Sequence, residues 1–553
     1  MFVVPSIVWA QGYYSVEILG EQPLKAKKIE QRKFKDSLEL LAYVEDLRLK
    51  DISKGHVLAN IDSVQWNDKH LRLFYYRGNV FENLEIFTNE DDEELIRKIP
   101  GISEKFLLNL HFDGKELSSV LQKILKYLEN HGYPFSSVEL DNVNQYGNGF
   151  SAELSIEKGP FVSISEIELK GDANVAKKYI SNYIDIKEGD AYKELALRDI
   201  TQRLAQIPFL AEIKTHEIKF TPDGSTLYLY LKSNPVSLIN GIAGIQQDPS
   251  SDKTIITGDI RLKLQNTLKR GELLALNWRS LQPATQELNV DFNFPFLFNT
   301  PFGLQSSFEL YKQDSSFLTT KARVGVQYFL TGGNYLNAFY ERDNSSVLRT
   351  NVLNNNLGNV STNRYGLGFY RRRLDYIPNP SKGLIIESEA ALGRRESRAN
   401  DSAQVVVSTT LKVDLSVDAY LPITRRNVLR LYAKAESYYA DEVFENEQFR
   451  FGGLNSQRGF NEQSLLATTY MLLRAEYRFL LDKNSHLFAF YDQSFYENTT
   501  GKYYQDDPFG FGAGFSFGSK LGIFSISYAL GKQYENPIQL RDGKVHFGYI
   551  AYF

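Results

Sequence analysis

The sequence predicts two regions in series: α+β repeats, then a closed antiparallel transmembrane β-barrel of sixteen strands. Three observations lead there. From Val236 to Phe553, segment after segment alternates apolar and polar side chains, with almost nothing helical. The residues before Val236 repeat one unit, strand, two helices and two strands, three times at a spacing of about 76 residues. No apolar run reaches the length of about 18 residues that a spanning helix needs, so a membrane would have to be crossed by strands.

Taken in order, residues 1–10 read as a signal-peptide remnant, a short apolar core ending in the small-residue site Val8-Trp9-Ala10, although the basic start is missing. The repeats are expected over 11–78, 79–159 and 160–233. Each has an amphipathic helix. Asp36–Lys50 aligns Leu40, Tyr43, Val44 and Leu47; Lys115–Asn130 aligns Leu117, Val120, Leu121, Ile124 and Leu128; Glu194–Ala205 aligns Leu197, Ile200 and Leu204. Similar segments follow the helices, beginning at Gly55, Gly132 and Ile207, and strands follow at His70–Tyr76, Ser151–Glu157 and Ser225–Lys232. Asn234-Pro235 reads as a hinge into the barrel, residues 234–553.

Within the barrel, Lys412–Leu421 shows the rule. Val413, Leu415, Val417, Ala419 and Leu421 share one face, and Lys412, Asp414, Ser416, Asp418 and Tyr420 the other. Such a strand puts one face in lipid and one in water, which is why mean hydropathy stays at -0.34. Aromatic residues at 13% suit interfacial girdles. Short turns such as 331–334, 482–484 and 518–520 alternate with long connections such as 344–361 and 441–463. That is the pattern of periplasmic turns and outer loops.

Composition and motifs also exclude. A net charge of -4 gives no electrostatic reason to expect nucleic acid. Cys 0 and His 7 leave few metal ligands, and neither Gly-x-Ser-x-Gly nor a P-loop is present. We therefore expect no catalytic residue, metal or cofactor, and no enzyme: acids in an aqueous lumen lack the burial that would make them catalytic.

One loop stands out. Phe449-Arg450-Phe451-Gly452-Gly453-Leu454-Asn455-Ser456-Gln457-Arg458-Gly459-Phe460 joins the eleventh and twelfth expected strands. Alternation turns Glu476 and Asp492 inward on the next two strands. On the strand after those, Gly510, Gly512 and Gly514 face in, marking either the close approach of another backbone or the curvature a barrel needs. The last strand puts Val545, Phe547, Tyr549, Ala551 and Phe553 on one face.

Three such repeats ahead of a barrel resemble the POTRA domains and barrel of the BamA/TamA superfamily of outer-membrane insertases and transporters, closest in layout to the TamA type. The Gly-Gly then Arg-Gly-Phe loop, here Gly452, Gly453, Arg458, Gly459 and Phe460, resembles that superfamily's sixth extracellular loop. The resemblance implies that the loop folds into the lumen and that Arg458 pairs there with Glu476, Asp492 or both, because an unpaired buried charge is costly. With the loop folded in, Gly510, Gly512 and Gly514 are the expected loop-accommodating glycines, with barrel curvature as the equal alternative; the resemblance implies that the face of Phe547, Tyr549 and Phe553 is a C-terminal assembly signal. It places the barrel in the outer membrane of a Gram-negative bacterium with its POTRA domains in the periplasm. The implied partners are the outer-membrane lipid bilayer, unfolded outer-membrane protein clients, and a periplasmic or inner-membrane partner at the POTRA domains. The implied function is insertion or translocation of client polypeptides, by POTRA capture and a lateral seam between first and last barrel strands. A two-partner-secretion-like transporter, exporting one dedicated polypeptide through the lumen, is the alternative; nothing before residue 13 reads as the plug helix of that plan.

Overall fold

The computed structural model describes residues 14–20, 33–102, 110–111, 113–222, 224–247, 254–280, 285–314, 316–348, 356–399, 404–519, 522–534 and 538–550. The expected signal remnant at 1–10 and the terminal Phe553 lie outside the described residues. The chain forms two compact units, one of residues 1–163 with 191–195, the other of 164–190 with 196–553. None of the described helices is long and apolar enough to cross a membrane.

The first unit holds two repeats built alike. In the first, Tyr14–Gly20 runs parallel to His70–Tyr76, and Asn60–Asn67 lies antiparallel on the far edge. The helix Ser37–Ser53 starts where the Asp36 carboxylate accepts the Glu39 N–H at 2.8 Å, satisfying one of the free donors of the first turn. Its Leu40 and Val44 pack on Val16, Leu71 and Leu73. In the second repeat, Asn83–Phe87 is parallel to Gly149–Glu157, with Ser137–Tyr146 antiparallel outside it. Asn89 and Asp113 cap helices Glu90–Arg97 and Gly114–Glu129. Every third or fourth residue of the latter, Val120, Ile124 and Leu128, is buried against Leu84, Ile86 and Leu154.

The third repeat belongs to the second unit and repeats the plan: Ile164–Gly171 parallel to Gly224–Ser233, with Leu210–Thr221 antiparallel outside. The helix expected over 194–205 is interrupted at Asp199, giving Glu194–Arg198 and Ile200–Leu204, yet its buried face of Leu197, Ile200 and Leu204 continues through the break. All three outer strands carry a bulge, after Ile61, Asp141 and Glu212. Bulges twist an unpaired edge away from uncontrolled pairing.

Sixteen antiparallel strands then follow in strict sequence order, from Leu238–Gln247 to Lys544–Ile550, and a three-residue strand, Tyr504–Asp506, pairs with the end of the thirteenth and so extends the fourteenth. Observed spans keep the expected alternation. In the twelfth strand, Thr469–Leu480, residues Tyr470, Leu472, Arg474, Glu476 and Arg478 are buried while Met471, Leu473 and Tyr477 are exposed on the lipid side. The eighth, ninth and tenth strands, Gly358–Leu374, Gly383–Ala399 and Val406–Pro422, have 17 residues each and so extend well past the membrane.

Two expectations need correction. The barrel was expected to close, but among the described residues the first and last strands share no backbone pairing; Leu238–Gln247 pairs with the second strand and Lys544–Ile550 with the fifteenth. Gly241 and Gly244 give the first strand no side chains to pack across such a seam at those positions. Asn234-Pro235 does not act as a free hinge either. Asn234 donates from its backbone to the Phe209 carbonyl (2.9 Å) and from its side chain to that of Leu210 (3.0 Å). The third repeat is moreover clamped to the barrel turns. The Gln206 amide brackets Leu374, donating to its carbonyl (2.5 Å) and accepting its N–H (3.1 Å), in a buried site. Arg372 donates to the Gln206 carbonyl (2.8 Å), and Phe296 meets Tyr179 edge to face at 5.6 Å.

Candidate functional site

The long connection between the eleventh strand, Asn427–Tyr439, and the twelfth builds its own scaffold. Phe449–Phe451 pairs antiparallel with Leu465–Ala467 to form a stem. At its head the chain reverses through Gly452 (φ 113°) and Gly453 (φ 99°), a region that disfavours any residue with a Cβ. A methyl group on Gly452 would stand 2.6 Å from the Asn461 carbonyl oxygen. The Gly452 N–H donates to Ser456 Oγ (2.7 Å) and the Gly453 N–H to the Gln457 carbonyl (3.0 Å). This tight turn presents Gln457, Arg458 and Gly459 to the barrel wall.

Arg458 is buried and meets both acids. Its Nε and Nη2 donate to Asp492 at 2.8 Å each, a bidentate pair, and its Nη1 donates to Glu476 at 2.6 Å. The guanidinium also lies over the Phe490 ring, 3.4 Å from its centroid. Gln457 donates to the Asp492 carbonyl (3.1 Å). The wall supplies two further arginines that the sequence reading did not single out. Arg474 donates to both oxygens of Asp492 (2.9 and 3.1 Å), and Arg478 donates to Glu476 (2.8 Å). Both share the parity of Glu476, so the alternation that turned the acid inward also turned them inward. Asp492 is the hub: it is fully buried and takes hydrogen bonds from two guanidinium groups. A cluster of this kind holds a loop in place; removing one partner of a buried pair costs about 3–5 kcal/mol.

The inward glycines divide. A Cβ on Gly510 would overlap the Arg458 carbonyl oxygen, so this position accommodates the loop backbone. Gly512 and Gly514 do not face the loop. A Cβ there would strike the neighbouring strand at the Tyr528 and Ile526 carbonyls, and would crowd the Phe490 (2.9 Å) and Phe488 (2.7 Å) rings. The second loop-facing glycine is Gly531, where a Cβ would lie 2.7 Å from the Gly459 carbonyl oxygen and 2.9 Å from the Phe460 ring. Phe460 itself packs on the buried cluster of Phe451, Leu465, Tyr470, Leu472 and Tyr496. The Gly459 N–H donates to His546 Nε2 on the last strand (3.3 Å). On that strand Phe547 is exposed on the outer face; Tyr549 contributes its backbone, paired with Phe524, while its side chain lies outside the described residues, as does Phe553.

A second anchor fixes the loop near its start, and no local motif announced it. Asn446 bridges the seventh strand, Tyr335–Val347, and the eighth. Its Nδ2 donates to Ser345 Oγ (2.7 Å) and the Gly358 carbonyl (2.8 Å), and its Oδ1 accepts the Gly358 N–H (3.2 Å). Glu447 receives Arg395 in a fork (2.8 and 2.6 Å) together with the Tyr438 hydroxyl (2.8 Å).

Sixteen strands in series, a lumen loop pinned at both ends, and α+β repeats ahead of the barrel define an outer-membrane β-barrel protein of the insertase and transporter class. Residues 266–549, just over half of the chain, match the Omp85 superfamily domain. The chain belongs to the Omp85 superfamily. Its structure is similar to CdiB from Escherichia coli (TM-score 0.54, 16% identity, covering 92% of this chain and 96% of that one) and to CdiB from Acinetobacter baumannii (0.51, 13%, 84% and 88%). It also matches BamA from Haemophilus ducreyi lacking POTRA domains 1-3 (0.42, 16%, 84% and 98%). No curated protein matches it significantly in sequence.

Proposed function

We propose that this protein inserts client polypeptides into the outer membrane, capturing them at its periplasmic repeats and passing them through a lateral seam between its first and last barrel strands. The observation that carries the reading is the pair of sheet ends, which among the described residues share no backbone pairing. An unpaired edge offers a row of N–H and C=O groups on which a client strand can form by β-augmentation. Ile239 on one bank, and Val545 and Phe547 on the other, present exposed apolar side chains to such a strand. The Arg458 cluster supports the reading by bracing the bank of strands twelve to sixteen from within. Client folding supplies the free energy, so the reading needs no nucleotide, metal or catalytic residue. The repeats' parallel strand pairs and bulged outer edges provide the surface for an unfolded client or a second periplasmic protein.

The native chain has no cysteine, so engineered thiols report cleanly. A cysteine scan pairing positions 238–241 with 544–548 locks the seam under oxidation. The expected result is loss of client assembly that a reductant restores. Assembly that continues through a fully formed cross-link overturns the lateral route and leaves export through the lumen as the reading. Depletion followed by outer-membrane proteomics separates the two independently: broad loss of barrels marks an insertase, loss of one exported protein a dedicated transporter.

A further inference from the structure

We propose that the groove between the third repeat and the barrel turns 266–272 and 295–300 binds the phosphate headgroup of an anionic phospholipid. The groove has a volume of about 650 Å³ and runs along helix Lys177–Ile184 to Phe296. Lys177, Lys178, Lys187 and Arg270 line it, against a single acid, Glu188. That acid is already committed: Lys177 Nζ lies 2.5 Å from it, and the Ile167 N–H donates to it at 3.1 Å. These two donors hold its carboxyl below the usual carboxylate range. Among the described residues, the side-chain charges of Lys178, Lys187 and Arg270 form no salt bridge, although the backbone N–H of Lys187 donates to Asp190 (2.8 Å) and that of Arg270 to Glu272 (3.1 Å). The first turn of the helix contains no acidic residue, so nothing within it neutralises the two lysines there.

The two turns that contribute to the groove also carry exposed apolar residues beside its lining. Leu268 is 64% exposed and Phe298 is 89% exposed. The turn 295–300 divides its aromatics: Phe296 turns inward onto Tyr179, and Phe298, held at φ 53°, turns outward. Directly after this turn Phe302 begins the lipid-facing belt, stacked edge to face on Tyr328. Free cations beside exposed apolar tips, continuous with a lipid-facing surface, form an amphipathic pattern that fits a lipid: phosphate in the groove, acyl chains along Leu268 and Phe298. An acidic polypeptide would satisfy the cations but leaves the bare phenylalanine unexplained. The proposal rests on the repeats facing the periplasm, where the adjoining leaflet is phospholipid.

The test is native mass spectrometry of the full chain released from micelles holding equal phosphatidylglycerol and phosphatidylethanolamine. The wild type retains phosphatidylglycerol preferentially. The triple variant Lys178→Gln, Lys187→Gln, Arg270→Gln loses that preference, by about five-fold per charge removed. The charge-conserving variant Lys178→Arg, Lys187→Arg, Arg270→Lys keeps it, and an unchanged heat-modifiable band on gels shows both variants folded. Undiminished phosphatidylglycerol retention by the triple variant overturns the site. Loss of the lipid to excess inorganic phosphate, or to a short acidic peptide, overturns the lipid as occupant. Orientation is read separately, by thiol labelling of Lys232→Cys in intact cells. Labelling from outside would refute the periplasmic placement while leaving lipid retention intact, so the two failures are distinct.

Discussion

Removing Asp492's charge should release the lumen loop more than removing the arginine it holds. In Arg458→Ala, three charge-assisted bonds vanish, two to Asp492 and one to Glu476. Neither acid is stranded, because Asp492 keeps Arg474 and Glu476 keeps Arg478. The cost falls at the low end for a buried pair, about 3 kcal/mol. Asp492→Asn leaves the buried Arg474 without any carboxylate and Arg458 with Glu476 alone. That cost falls at the high end, about 5 kcal/mol. The assay is amide hydrogen exchange in the folded barrel, read at residues 452–460. Opening of the loop should accelerate by about a hundred-fold in Arg458→Ala and by a further tenfold or more in Asp492→Asn. Wild-type protection in both variants, or a larger effect from the arginine, would refute the reasoning.

Gly510→Ala and Gly531→Ala should each displace the loop backbone, at about 1–3 kcal/mol, and raise exchange at Arg458 and Gly459; Gly512→Ala should instead lower the thermal midpoint of the barrel without freeing the loop. Glu447→Gln leaves the buried Arg395 without its carboxylate, so the loop stem should loosen by about 3–5 kcal/mol, seen as new protease cleavage between residues 440 and 450. Gln206→Ala strips both hydrogen-bonding groups of Leu374 of their side-chain partner. At about 1–3 kcal/mol for buried groups left unsatisfied, it should release the third repeat, measurable as increased exchange in helix Lys177–Ile184.

Much of this architecture is written in side-chain periodicity. The period-two pattern predicted the count of sixteen strands, because a strand's lipid face disfavours charge while its other face does not. The same parity turns Glu476 and Asp492 inward. The meeting of Arg458 with both acids depended on the loop folding back, which periodicity cannot express; only the Gly-Gly and Arg-Gly-Phe spacing hinted at it. Other pairings were invisible for a related reason. Asn446 meets Gly358 across 88 positions, and Gln206 meets Leu374 across 168. Such contacts are fixed by strand registers and by how the third repeat seats, not by any local signal. Gly512 and Gly514 show the opposite error. Their spacing matched that of Gly510, but what presses on a glycine is settled by its neighbours in space.

The clamping of the third repeat has a mechanical corollary. The loop tip props the side of the gap that ends at His546, whereas the repeat grips the turns at Lys269, Phe296 and Leu374, on strands from the other side. The loop also reaches the fourth, seventh and eighth strands, through Gln463 and Asn446, so the contact that the repeat alone makes is the one to the turn after the second strand, at Lys269. On the proposed function, a pull on the third repeat would load that turn before the strands the loop also holds.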